Sequence, residues 1–199
     1  MNIAVFASGR GSNFAAIVRA VKKKKIKANL ALLVCDNPRA AVIAKARRAN
    51  IEVVLIKREL YANKQDFENA IAEIMRKKTI GLIILAGFMR MLSAEFVARF
   101  KNKIINIHPA LLPAFKGSEA IKDAFEYGVK VTGVTVHFVD EEMDHGPIIM
   151  QQSIKIEEFD TLASLEGKIH KVEHKIYAEA IQLFVEGKLE IKGRSVSIH

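Results

Sequence analysis

The sequence lacks the residues that would build a disulfide framework or a membrane anchor. Its 199 residues include a single cysteine, Cys35, so no intrachain disulfide can form. The surrounding run ALLVCDN is mostly apolar, which favours a small core residue over a reactive thiol. No stretch approaches the roughly 18 uncharged apolar residues that a membrane span requires. We therefore expect a soluble protein whose core forms without cross-links.

A secretory signal is also missing. The N-terminus runs from Met1 directly into an apolar strand, with no basic lead and no small-residue cleavage site. We expect a cytoplasmic protein that does not associate with membranes.

Tryptophan is absent and only three tyrosines occur, although the formal net charge is +9. A basic chain can bind nucleic acid, or it can attract a small anionic substrate through its overall field. The longest basic run, Lys22 to Lys25, continues the apolar periodicity of Phe14, Ile17 and Val21, which is typical of a solvated helix end. No aromatic residues are interleaved with the basic ones to stack bases. We predict small-molecule substrates and no nucleic-acid partner.

Apolar, strand-like runs alternate with segments of helical periodicity, which is typical of βαβ units. The predicted strands are Ile3–Phe6, Leu30–Cys35, Glu52–Ile56, Ile80–Leu85, Ile104–Ile107, Val131–Val139 and Pro147–Ile156. The predicted helices are Ser12–Lys22, Ala40–Ala49, Lys64–Lys77, Ala94–Phe100, Ser118–Tyr127 and Thr161–Glu186. The pattern predicts an α/β fold with a mainly parallel, Rossmann-like sheet flanked by helices. An antiparallel edge element near the C-terminal part and a long C-terminal helix complete it.

The long last helix has recognisable ends. Asp160 and Thr161 precede it as a candidate N-cap, and Gly187 follows it as a candidate stop. No internal repeat and no low-complexity linker interrupts the chain. Its length suits one compact domain with a core on both faces of a sheet.

A glycine-containing turn, Ala7 to Asn13, follows the first strand. Small residues let the backbone approach a ligand, and the free amides at a helix start favour an anion such as phosphate. The turn fits neither a dinucleotide fingerprint, because Phe14 replaces the third glycine, nor a Walker loop. The alternative is a tight βα turn that Ser12 caps, which the segment alone supports about equally well.

Polar residues also follow the strand in KIINIHPALLPAFKG, Lys103 to Gly117. Asn106 and His108 lie two apart, so in an extended strand they point to the same side. Pro109 cannot donate to a sheet ladder and is expected to end the strand. The pair would then lie at the open strand end, where open α/β sheets hold their active sites. A strand-end turn without catalytic function is the alternative.

Four segments, in this order, resemble the folate-dependent formyltransferases. They are FASGRGSN at Phe6–Asn13, LAGFMRMLS at Leu85–Ser93, NIHPALLPAFKG at Asn106–Gly117 and TVHFVDEEMDHGPII at Thr135–Ile149. Their combination with this length and glycine turn is similar to the purine-pathway members of that family. The resemblance implies transfer of the formyl group of 10-formyltetrahydrofolate to the amine of N1-(5-phosphoribosyl)glycinamide, also called glycinamide ribonucleotide. No metal is implied.

The resemblance also implies how the chain is organised. One formyltransferase domain would cover residues 1–199, with a phosphate-binding half at about 1–100 and a folate and catalytic half at about 101–199. The protein would be a monomer or a homodimer.

Three residues carry the catalysis that the resemblance implies. Asn106 would donate its amide N–H to the oxyanion, and His108 would act as the acid or as an oxyanion partner. Asp144 would orient or charge the imidazole, so the loop Asp140 to Gly146 must return to the end of the Asn106 strand. A carboxylate near His108 favours imidazolium, and we expect the pKa of His108 to be raised.

The implied binding residues form two sets. The ribonucleotide would be bound by Gly11, Ser12, Asn13, Pro109 and Glu173. The folate would be bound by Lys64, Met89, Arg90, Met91, Leu92, Asn106, Val139, Asp140 and Glu141. Lys64 stands where an arginine often contacts the acidic folate tail, so it retains the charge without the bidentate fork. His170 stands where a glutamine can contact substrate, and it is given no role.

Other functions stay open on the sequence alone. The segment His170 to His174 fits HxxEH, a zinc-peptidase pattern, but no third ligand is signalled downstream. A 10-formyltetrahydrofolate hydrolase and a methionyl-tRNA formyltransferase share the folate chemistry, although both usually carry extra domains. A ligand-binding module without catalysis would leave Asn106, His108 and Asp144 without a task.

Overall fold

The computed structural model describes all 199 residues, and its elements alternate as the sequence pattern predicts. The strands are β1 Asn2–Phe6, β2 Asn29–Cys35, β3 Glu52–Leu55, β4 Ile80–Leu85, β5 Ile104–His108, β6 Val131–Phe138, β7 Ile148–Lys155, β8 Leu189–Lys192 and β9 Ser195–Ile198. The helices are α1 Ser12–Lys22, α2 Ala41–Arg48, α3 Lys64–Lys77, α4 Ala94–Arg99, α5 Ala120–Tyr127 and α6 Leu162–Val185, with a short 3₁₀ turn at Arg58–Leu60.

The seven main strands form one sheet in the order β3-β2-β1-β4-β5-β6-β7. The neighbours from β3 to β5 are parallel, whereas β5–β6 and β6–β7 are antiparallel. The prediction of a mainly parallel sheet with an antiparallel edge and a long last helix is therefore confirmed. Since β1, β4 and β5 are parallel neighbours, their carboxyl ends meet at one edge.

The core lies on both faces of the sheet because successive strand residues point to opposite sides. In β1, Ile3 and Val5 belong to a large cluster beside α1, α2 and α6. The intervening Ala4 and Phe6 belong to a smaller cluster beside α3 and α4. All four are fully buried, and each large apolar side chain contributes about 1.5–3 kcal/mol on burial. Cys35 is buried in the large cluster, as its apolar neighbours predict.

Helix ends agree with the sequence at α6 and differ at α1. The Thr161 side chain accepts from the Ser164 N–H in a capping box, and Gly187 follows α6 with a φ of 68°. At α1 the cap is Gly11, and Ser12 is the first helical residue. The expectation that Ser12 is the N-cap is wrong, because Gly11 occupies that position and no side chain caps the helix.

The C-terminal hairpin β8–β9 was not predicted. Its two short strands pair only with each other through the ladder Leu189 to Ile198. The strands LEIK and SVSI contain only two apolar residues each, too few to establish a periodicity in the sequence. None of the helices is both long and apolar enough to span a membrane.

Candidate active site

The carboxyl ends of β1, β4 and β5 open into a cavity of about 530 Å³. The loop between β6 and β7 and one face of α6 complete its wall. Every site residue predicted from the sequence lines this cavity except Lys64. The fold therefore gathers polar groups that lie far apart in the chain into one space.

Asn106, His108 and Asp144, the three residues predicted to be catalytic, lie together, and we call them the catalytic cluster. Asp144 Oδ1 lies 3.4 Å from Asn106 Nδ2, and Asp144 Oδ2 lies 3.3 Å from His108 Nδ1. The loop after β6 thus returns to the end of β5, as the sequence predicts. Both contacts are longer than ordinary charge-assisted hydrogen bonds, so neither holds its partner tightly.

Asp144 is held in its position by the backbone as well as by side chains. It adopts a left-handed conformation with a φ of 48°, and its Oδ2 accepts from the Gly117 N–H at 3.0 Å. Burial alone would raise the pKa of Asp144, but the contact with His137, the Gly117 bond and the nearby His108 outweigh it. The pKa therefore lies below its ordinary value, and the carboxylate is charged at neutral pH.

The predicted direction of the His108 pKa is wrong. The residue is 3% exposed, and its burial lowers the pKa by more than Asp144 and the bond to Phe115 raise it. Asp144 lies beside His108, as predicted. However, the imidazolium form of the buried ring loses more hydration energy than the contact with Asp144 at 3.3 Å restores. His108 is consequently a neutral imidazole at neutral pH.

The hydrogen bonds of His108 define which ring nitrogen can take up a proton. Nε2 lies 2.7 Å from the Phe115 carbonyl oxygen, a distance that requires an N–H at this nitrogen. The neutral ring then has its lone pair on Nδ1, the atom that faces Asp144. A proton arriving at Nδ1 would be stabilised by that carboxylate.

His137 belongs to the site, although the sequence did not single it out. It is 2% exposed and lies directly opposite Asn106 in the β5–β6 pair. Its Nδ1 donates to the Phe138 carbonyl at 2.7 Å, so Nε2 can accept from Asn106 Nδ2 at 3.3 Å. His137 therefore orients the Asn106 amide. Only the antiparallel register identifies this residue, and the sequence does not determine that register.

A second cluster in the cavity wall consists of Asn13, His170 and Glu173, and we call it the anchoring cluster because Asn13 and Glu173 are predicted to bind the ribonucleotide. Glu173 Oε2 accepts from Asn13 Nδ2 at 3.2 Å and contacts His170 Nδ1 at 2.8 Å. Glu173 is 4% exposed, whereas the His170 side chain is 33% exposed. The bond to Glu173 raises the pKa of His170 by more than burial lowers it, so this ring is more readily protonated than an ordinary histidine.

The glycine turn beside this cluster has the geometry of an anion site. Gly11 has a φ of 71°, and a Cβ there would lie 2.5 Å from Val42 Cγ2, so the position requires glycine. Ser12 and Asn13 follow it at the start of α1, where backbone N–H groups have no helical partner. The turn thus combines free amides with the nearby His170, whose raised pKa makes it more readily protonated than an ordinary histidine.

The predicted folate segments form the remaining wall. Met89 is 71% exposed and Met91 is 58% exposed at the cavity, which is inconsistent with a core-filling role for Met91. Leu92 is buried in the smaller core cluster and reaches the cavity from within. Val139 to Glu141 line the cavity as well. Apolar side chains of Met89, Met91, Leu92 and Val139 lie in this wall, and a ring-binding surface requires such side chains.

Lys64 is not brought to the cavity. It is the first residue of α3, and its Nζ lies 3.8 Å from Glu68 Oε1. Its contact with a folate tail stays a prediction.

The HxxEH segment does not form a set of metal ligands. His170 is bonded to Glu173, and His174 Nε2 is buried without a hydrogen-bond partner. No group of three or more His, Cys, Asp or Glu side chains is arranged to hold a metal ion. The spacing therefore reflects two histidines on one helix and does not indicate a zinc-peptidase site.

Comparison with known proteins finds relatives that match most of this chain. The family model described as formyl transferase matches residues 1–181. A phosphoribosylglycinamide formyltransferase from Bacillus subtilis is 51% identical over 179 residues, which cover 90% of this chain and 92% of that protein. One from Haemophilus influenzae is 35% identical over 190 residues, covering 96% of this chain and 90% of that protein.

A solved structure shows the same fold. The crystal structure of glycinamide ribonucleotide transformylase 1 from Symbiobacterium toebii superposes with a TM-score of 0.96 at 41% identity. The match covers 100% of this chain and 93% of that chain. The similarity therefore includes the sheet, the helices and the loops that form the cavity.

Proposed function

The chain belongs to the formyl transferase family, and we propose that its cavity catalyses this transfer through Asn106, His108 and Asp144. The enzyme transfers the formyl group of 10-formyltetrahydrofolate to the amine of N1-(5-phosphoribosyl)glycinamide. The products are the N-formyl ribonucleotide and tetrahydrofolate, in purine biosynthesis. The observation that carries the catalytic assignment is the contact of one carboxylate, Asp144, with both Asn106 and His108.

The reaction makes one carbon–nitrogen bond and breaks another. The substrate amine attacks the formyl carbon, the carbonyl oxygen becomes an oxyanion, and the bond from that carbon to N10 of the folate then breaks. The amine loses one proton and N10 gains one, so protons balance. The protein must therefore stabilise an oxygen charge and move a proton between two nitrogens.

The geometry of the catalytic cluster suits both tasks. The Asn106 amide, oriented by His137, donates to the developing oxyanion. His108 Nδ1 accepts a proton beside Asp144, which stabilises the imidazolium while it exists. The lowered pKa of His108 makes that proton easy to release to the leaving nitrogen. His108 thus acts as an acid only after it has acted as a base.

The two ends of the cavity divide the substrates. The ribonucleotide phosphate binds the amides of Gly11 to Asn13, with Glu173 and Pro109 beside the rest of that molecule. The folate ring binds between Met89 to Leu92 and Val139 to Glu141. The formyl group then lies between them, at the catalytic cluster.

The wider organisation follows from the same assignment. One formyltransferase domain covers residues 1–199, with a phosphate-binding half at about 1–100 and a folate and catalytic half at about 101–199. The cytoplasmic location and the monomeric or homodimeric state stay predictions.

A substrate-dependence assay tests the function. Purified enzyme is given 10-formyltetrahydrofolate with the ribonucleotide, with water alone, or with methionyl-tRNA, and tetrahydrofolate release is followed. We expect release only with the ribonucleotide, and almost none from Asp144→Asn. Equal release in water would instead indicate a hydrolase, and release only with the charged tRNA would indicate the tRNA enzyme.

A further inference from the structure

Ser8, the second residue of the glycine turn, is hydrogen-bonded to the segments that follow two neighbouring strands, β2 and β4. Its N–H donates to the Gly87 carbonyl at 3.0 Å, and its carbonyl accepts from Asn37 Nδ2 at 3.2 Å. The hydroxyl donates to Asp36 Oδ1 at 2.6 Å and accepts from the Met89 N–H at 2.9 Å. Ser8 is 7% exposed and does not line the cavity.

Asp36 extends this connection to the neighbouring arginine. Its Oδ2 accepts from Arg90 Nε at 2.6 Å, and its side chain is only 7% exposed. The Arg90 guanidinium also lies over the Phe67 ring, 5.7 Å from the centroid. Arg90 lines the cavity, whereas Asp36 does not.

The result is a buried bridge from β1 and β2 to the loop after β4. Ser8 fixes the backbone of Met89, and Asp36 fixes the side chain of Arg90. Met89 and Arg90 both belong to the folate wall, the part of the cavity wall that is proposed to bind the folate. They lie in the loop between β4 and α4, which is not part of the β-sheet. The buried Asp36 carboxylate is destabilising unless both the Ser8 hydroxyl and the Arg90 guanidinium bond to it. The arrangement therefore favours the one loop conformation that makes both bonds.

We propose that Ser8 and Asp36 are positioning residues that set the affinity for formyl-folate by holding Met89 and Arg90. The proposal rests on the proposed function, since it requires that these two residues bind the folate. The bridge reaches the folate wall through the loop after β4 and makes no contact with the catalytic cluster. Its loss should therefore affect folate binding and leave the chemical step intact.

The test compares Ser8→Ala, Asp36→Asn and the double variant with the wild-type enzyme. Steady-state kinetics give separate KM values for the folate and the ribonucleotide, and equilibrium dialysis gives the Kd of tetrahydrofolate. We expect each single variant to raise the folate KM and the tetrahydrofolate Kd about tenfold, as for a buried group that loses its partner. The ribonucleotide KM and kcat should stay within about twofold of wild type.

The double variant shows whether the two residues act as one unit. We expect its folate KM to rise by about as much as that of the worse single variant, and not by the product of both effects. Glu52→Gln is the matched control. It removes a carboxylate that contacts Lys78 Nζ at 2.5 Å at the opposite edge of the sheet, and it should leave all constants unchanged.

The outcomes separate this proposal from the proposed function. If the wild-type enzyme does not transfer formyl to the ribonucleotide, the proposed function fails. If it does, an unchanged folate KM in folded Asp36→Asn overturns the bridge proposal. An equal rise in both KM values with a lower Tm would also overturn it, because that pattern indicates general loosening. Asp36→Asn preserves the shape of the side chain, so it tests the bridge proposal even if Ser8→Ala fails to fold.

Discussion

The cavity contains two clusters of the same three kinds of group: an asparagine amide, a carboxylate and a histidine ring. The catalytic cluster is Asn106, His108 and Asp144, and the anchoring cluster is Asn13, His170 and Glu173. The pKa values of the two histidines are shifted in opposite directions: that of His108 is lowered and that of His170 is raised. Composition alone therefore does not determine what such a cluster does.

Burial and distance explain the difference. The His108 side chain is 4% exposed and lies 3.3 Å from its carboxylate, whereas the His170 side chain is 33% exposed and lies 2.8 Å from its own. A deeply buried ring with a long contact stays neutral and can exchange a proton. A ring that is one-third exposed and has a short contact is more readily protonated, which suits a phosphate-binding region.

The largest expected effect comes from removing the charge of the catalytic cluster. Asp144→Asn should reduce kcat about 10³-fold, because the amide cannot stabilise a proton on His108. Both KM values should stay within about threefold of wild type. Steady-state kinetics beside Glu157→Gln, an exposed acidic position, check the result. A kcat within about tenfold of wild type would remove Asp144 from the mechanism.

His108→Ala should reduce kcat about 10²-fold while substrate binding persists. The wild-type kcat/KM profile should have an acid limb below pH 6.5, because the folded pKa is lowered from that ordinary value and the neutral ring is the active form. The limb should be absent in the variant. An acid limb above pH 6.5 that disappears with His108 would contradict the lowered pKa.

In the anchoring cluster, Glu173→Gln should raise the ribonucleotide KM about tenfold and change kcat by less than about threefold. The buried carboxylate bonds both Asn13 and His170, so its loss removes two contacts among the binding residues. Glu179→Gln is the control, since Glu179 is exposed on the same helix. A larger loss in kcat than in KM would show that the two clusters are not separate in function.

The smallest effect is expected for His170→Gln, with a ribonucleotide KM raised about threefold at pH 7. Ribose 5-phosphate lacks the reacting amine, so its inhibition constant reports the effect of the His170 charge on phosphate binding without a contribution from the chemical step. Its own second pKa is about 6, so its charge is nearly constant above pH 7. As the pH rises through the raised pKa of His170, wild-type binding should weaken. A matching slope in the variant would exclude His170 as the cation.

The sequence predicts the fold and the position of Asn106 and His108 at a strand end because these features leave local signals. The strand before Asn106, the stop at Pro109 and the glycine turn each depend on neighbouring residues. Their meeting at one edge follows from parallel strands. The family resemblance then locates Asp144, which no local pattern would have assigned.

What the sequence misses depends on register and burial. His137 becomes a site residue only through its pairing with Asn106 across two antiparallel strands. The direction of the His108 shift requires the depth of the ring, which a carboxylate's presence in the sequence does not reveal. The bridge from Ser8 through Asp36 to Arg90 joins residues 28 and 54 positions apart, and no periodicity predicts it.

The most direct test of the two-cluster comparison is an NMR titration of the histidine rings in the folded, ligand-free enzyme. His108→Ala and His170→Gln assign the two signals by their disappearance. We predict that His108 titrates below pH 6.5 and His170 above it. Titration of His108 above His170 would contradict the division of the cavity into a proton-transfer cluster with a lowered histidine pKa and an anchoring cluster with a raised one.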